Sequence, residues 1–135
     1  MFGKKHLITR YDYERIINTL NSGDILADFS AIKKLKEKIK KAKLIDSKEI
    51  KSTVITMNSR FRLKNLGNGI KKECSLVFPA DCDPSNNKIS ILDNIGAEII
   101  SHETGEVIRL KNGEDSYYLI EDIIYQPEAA GDYHL

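Results

Sequence analysis

The chain has 135 residues, 41% hydrophobic and 30% charged, which suits one ordinary globular domain or a small domain with an appendage. Lys and Arg total 21 against 20 Asp and Glu, so overall charge points neither to a nucleic-acid binder nor to an acidic tail. No apolar run approaches the roughly 18–20 residues that cross a bilayer, and MFGKKHLITR lacks the apolar stretch of a secretory signal, so a cytoplasmic protein without membrane contact is expected.

Thr9 stands three residues before Asp12, close to a capping box, and Tyr13, Ile16, Ile17 and Leu20 follow on one helical face. Asn21, Ser22 and Gly23 stop this helix. A second helix is predicted from near Asp24 or Asp28 to about Lys43, with Ile32, Leu35, Ile39 and Ala42 as a narrow seam suited to pairing with one other helix. A short polar connection makes the two helices antiparallel. From Ala31 to Lys43 the chain carries seven Lys and one Glu, a locally basic segment.

From Lys48 onward the period changes to two. STVITMNSRFRL is predicted as one long strand with an irregularity at Asn58-Ser59, and KKECSLVF as the returning strand. Pro79 to Asn87 reads as a loop, KISIL as a third strand and GAEIISH as one or two helical turns. EVIRL and DSYYLIEDIIY form a hairpin around Asn112-Gly113. Cys74 is expected as a small buried thiol, and Cys82 has no Cys or His close by for a metal site. The element order is α+β: a helical hairpin over 1–47, then over 48–135 an antiparallel sheet of about five strands holding one small helix.

VITMNSRFRL (54–63), KISILDNIGAEII (88–100) and YQPEAAGDYHL (125–135) together resemble the bacterial Gre-type transcription factors, most closely the branch called regulator of nucleoside diphosphate kinase. The resemblance runs from about Ile8 to Leu135. It implies a short antiparallel coiled coil on an FKBP-like domain, and docking as a monomer on RNA polymerase at the mouth of the secondary channel. Neither sequence-specific nucleic-acid binding nor a membrane partner is expected. The grip on polymerase would fall on Leu92, Asp93, Asn94 and Ile95, where Asn94 replaces a Pro common in the cleavage-factor branch. From its own surroundings, Ile95 has two open roles: an exposed anchor, or packing beneath the helix it precedes.

The family's cleavage factors hold a second magnesium with two carboxylates three residues apart at the coiled-coil tip. Here Gly23-Asp24 matches the start of that motif, Ala27 takes the second acidic position, and Asp28 comes one residue late. Helices of about 11 and at most about 20 residues make an arm roughly 17–30 Å long, shorter than the coiled coils of the cleavage factors. Asp24 also has the simpler role of accepting from the N–H groups that open the second helix. Gly23, Asp24 and Asp28 are therefore expected as a tip without catalytic or metal-binding duty, and no cofactor is expected. Magnesium shared with the polymerase enters only under the alternative of a cleavage factor. The lysine run reads as a solvated face, with phosphate attraction as the rival reading. His134 beside Asp132 lacks a nucleophile, so the tail reads as structural. The chain is thus expected to be a non-enzymatic transcription regulator. Prolyl isomerisation rests on fold analogy alone, and the absence of Trp weighs against it.

Overall fold

The computed structural model describes residues 6–22, 29–112 and 114–135, without the side chains of 111, 112, 114 and 115. The expected tip residues Gly23, Asp24 and Asp28 lie outside the described residues.

Strand β1 (Leu7–Thr9) runs directly into helix α1 (Arg10–Leu20). Thr9 caps α1 as its position predicts, accepting from the Asp12 N–H at 3.0 Å. Helix α2 (Phe29–Lys41) stops short of the expected Lys43, because Lys43–Ile45 forms strand β2, parallel to β1. Lys43 N–H donates to the His6 carbonyl at 2.8 Å. This two-stranded pair was not legible in the hydrophobic period, since three residues are too few to show alternation. It brings the first residue of α1 close to the last of α2, and Arg10 forms an ion pair with Asp46 beside it.

The main sheet contains β3 (Arg60–Asn65), β4 (Lys71–Val77), β5 (Lys88–Ser90), β6 (Val107–Asn112) and β7 (Glu114–Tyr125), in the order β5-β4-β3-β7-β6. The neighbours pair antiparallel except β4 and β5, which are parallel, so the expectation of a wholly antiparallel sheet is corrected. A chain that must pass over the loop 78–87 returns to the same end of the sheet before starting β5. The register between β3 and β7 shifts at Arg60/Phe61 and at Arg62/Leu63. These bulges curl the twelve-residue β7. Helix α3 (Asn94–Ile99) lies against the sheet and buries Ala97, Ile99 and Ile100 with Phe61, Leu76, Ile108 and Ile120. Each large side chain so enclosed contributes about 1.5–3 kcal/mol.

The predicted long strand over 52–63 is half wrong. Only Arg60 onward is strand; Val54, Ile55, Thr56 and Met57 are all buried in succession, so both faces of this stretch are covered. Ile55 exchanges backbone hydrogen bonds with Ser101 and His102, and Asn58, at φ 65°, turns the chain into β3. The tail forms a further helical turn, α4 (Pro127–Ala130), closed by Gly131 at φ 81°. Cys74 is buried as expected, and burial pushes its thiol up to about 11.

Candidate functional site

Beside the main sheet lies an open cleft of about 460 Å3. Leu63 and Lys72 are cross-strand partners on β3 and β4 and share its floor with Cys74, Ile89 and Tyr118. Ile70 stands at the margin with 63% of its surface exposed. Lys72, Lys88, Asn65, Asn68 and Asn87 supply polar groups. Asp93 and Ile95 close the side nearest α3.

The turn that presents Asp93 is set by Ser90. Its hydroxyl accepts from Leu92 N–H at 3.1 Å, and its carbonyl accepts from Asp93 N–H at 3.0 Å. Gly96 then lets α3 approach, because a Cβ there would stand 2.1 Å from the Ser90 carbonyl oxygen. Asp93 occupies the N-cap of α3, yet its carboxylate makes no capping hydrogen bond and stays exposed. A carboxylate at a helix start that neither caps nor pairs is open to an outside donor.

The four loop residues singled out in the sequence therefore divide. Asp93 is exposed, and Ile95 is half-buried, packing partly on the core while lining the cleft. Asn94 is half-buried, with its Oδ1 3.5 Å from Lys34 Nζ. Leu92 is 6% exposed and belongs to the core. The floor residues Lys72 and Tyr118 and the marginal Ile70 are not singled out by the sequence; alternation on β4 and β7 carries the signal for the first two, but only the register shows that they meet.

Two junctions fix the N-terminal helices to the sheet. In the first, α2 lies on α3. Lys34 reaches Glu98 at 3.0 Å, and Lys38 donates to the carbonyls of Glu98 at 2.5 Å and Ile100 at 3.0 Å. Burial pushes Lys38 down to about 8, only partly offset by Glu98. Burial alone would raise Glu98, but His102, Lys34 and Lys38 outweigh it and hold the carboxyl near 2. These contacts correct the view of the lysine run as wholly solvated.

In the second junction the tail meets α1. Asp12, 1% exposed, accepts from Met57 N–H at 3.0 Å and from Arg15 at 2.6 Å. Glu128 accepts from the Thr56 hydroxyl at 2.7 Å. Burial raises both carboxyls despite Arg15. Gln126 Nε2 donates to the Lys51 and Val54 carbonyls at 2.8 and 2.7 Å, and Arg15 to the Leu135 carbonyl at 3.0 Å. Tyr125 donates to Asp132 at 2.5 Å, which pushes the phenol up to about 12. The tail is structural, as expected. Among the described residues no group of three or more His, Cys, Asp or Glu side chains is placed to hold a metal. Nor, among them, is any helix long and apolar enough to cross a membrane.

Residues 50–125, which carry the whole sheet, α3 and the cleft, match the family "Transcription elongation factor, GreA/GreB, C-term". The chain belongs to the GreA/GreB family. It is 32% identical over 131 residues to "Regulator of nucleoside diphosphate kinase" of Escherichia coli strain K12, covering 96% of each chain. It is 29% identical over 92 residues to "Transcription elongation factor GreA" of Flavobacterium johnsoniae, covering 67% of this chain and 58% of that one. The solved structure of "Prokaryotic transcription elongation factor GreA/GreB from Nitrosomonas europaea" aligns with a TM-score of 0.77 at 30% identity, over 91% of this chain and all of that one. In this GreA/GreB member, the match that places the chain in the family thus includes both Asp93 and the cleft beside it.

Proposed function

We propose that this GreA/GreB-family protein is a non-catalytic regulator that binds RNA polymerase beside the secondary channel. Its body, 48–135, is read as an FKBP-like domain that grips the polymerase through Asp93, Asn94 and Ile95. Helices α1 and α2 are read as a short antiparallel coiled-coil arm that occupies the channel, with Gly23, Asp24 and Asp28 at its tip.

The observation that carries this reading is the uncommitted Asp93 carboxylate beside half-buried Ile95, at the edge of an open, largely apolar cleft. A charge with no internal duty next to an apolar recess suits an anchor from a partner, flanked by a cation. Tyr118 is the one aromatic side chain among the described cleft residues, which does not favour a prolyl-isomerase pocket. The reading involves no cofactor.

Competition for core RNA polymerase against a long-armed cleavage factor tests the proposal. Displacement is expected, and Asp93→Arg with Ile95→Arg should weaken it by at least about tenfold. Unchanged displacement by that double variant would show that the grip lies elsewhere. Transcript cleavage by a backtracked polymerase that needs Asp24 and Asp28 would replace the non-catalytic reading with that of a magnesium-assisted cleavage factor.

A further inference from the structure

The lysines of α2 meet two fates. Lys34 and Lys38 turn to α3, whereas Lys33, Lys36 and Lys40 are exposed and form no ion pair among the described residues. Phe29 starts the same helical row, at spacings of four, three and four, and is 81% exposed.

This row borders a groove of about 260 Å3 between α1 and α2. Tyr13, Ile17 and Leu20 of α1 and Ile39 of α2 form its apolar lining, with Lys36 and Lys40 at its side. Two helices in full contact close such a seam by interdigitating side chains. Here Tyr13, Ile17 and Leu20 remain only half-buried, so the seam keeps apolar surface that the described chain does not cover. The exposed acidic residues on the two helices are Glu14 and Glu37, against the larger number of unpaired lysines.

We propose that this groove docks an acidic, apolar-faced segment of a partner protein. One large aliphatic or aromatic side chain of the segment seats between Ile17, Leu20 and Ile39, and its carboxylates meet Lys36 and Lys40. The charge selects an acidic occupant, and the recessed aliphatic lining selects a protein over a nucleic acid. A phosphate backbone would satisfy the lysines and leave the lining without an apolar partner. An amphipathic helix supplies both.

The full chain is titrated against a short fluorescent helical peptide with Leu on one face and Glu on the other. A scrambled peptide of the same composition and an oligouridine serve as competitors. Saturable binding is expected, with amide shifts confined to the groove in NMR spectra. Lys36→Glu with Lys40→Glu should weaken it by about tenfold and restore binding to a peptide whose Glu are replaced by Lys. The variant with Asp93→Arg and Ile95→Arg should bind the peptide normally, which separates this site from the cleft. Absence of binding, equal binding of the scrambled peptide, insensitivity to the Lys36 and Lys40 changes, or preference for oligouridine would each overturn the proposal.

Discussion

The two junctions hold the N-terminal helices to the same sheet by opposite electrostatics. Between α2 and α3, burial would raise the Glu98 carboxyl, but hydrogen bonds with His102 and Lys34 and the charges of Lys38 and Lys34 hold it near 2. Between α1 and the tail, Asp12 and Glu128 lie deep around Arg15, and burial prevails, so both carboxyls rise. In the first junction the Glu98 charge is favoured by its neighbours, while burial disfavours the charge on Lys38. The second is neutral or costly in charge and is held by directed hydrogen bonds, which fix one arrangement of α1 on the 54–59 segment.

The largest expected effect comes from removing the shared cation of the second junction. Arg15→Met leaves Asp12 and Glu128 buried without it and should cost about 3–5 kcal/mol in urea unfolding. Retention of full stability would mean that hydrogen bonds alone hold that junction.

A smaller loss is expected at the first junction. Glu98→Gln should cost about 1–2 kcal/mol at neutral pH, by removing charge-assisted bonds that are partly exposed. The folded carboxyl near 2 lies below the ordinary 4.5, so the unfolded chain takes up the proton first. Glu98 therefore stabilises above 4.5, and its contribution fades as pH falls toward 2. Acid titration of stability should show this slope in the natural chain and its reduction in the variant.

Glu128→Gln gives the smallest change and the opposite sign. The folded carboxyl is raised, so the folded chain holds its proton more tightly, and stability from this group declines as pH rises past the ordinary 4.5. The amide oxygen still accepts from Thr56, so the expected change is within about 0.5 kcal/mol at acid pH. At neutral pH the variant should lose that decline. A slope like that of Glu98 would show that the two junctions do not differ in kind.

Much of the fold follows from local pattern. Thr9 and Asp12 announce the start of α1, and Phe61 with Leu63 announces the buried face of β3, because capping and alternation are properties of neighbouring residues. The 54–57 stretch was misread for the converse reason. Its successive buried residues have their backbone groups held by Ser101, His102, Asp12 and Gln126, which are distant in sequence. The cleft was half legible. Asp93 and Ile95 stood in a family motif, but Lys72, Ile70 and Tyr118 join them only through strand register. Asp12 looked like half of a capping box, and nothing local shows that its carboxylate turns instead to Met57 N–H.

The parallel pairing of β1 with β2 makes the intervening helices a cassette. The two ends of the segment are clamped side by side, with Ile8 opposite Leu44, so the body meets the same two strands whatever length of helix lies between them. Lengthening both helices by matching whole turns beyond the Lys34 contact leaves the clamp and the cleft untouched, and the entropy of closing a longer loop grows only logarithmically. The length of the helical segment can therefore change by insertion alone, without redesign of the sheet and cleft beside it.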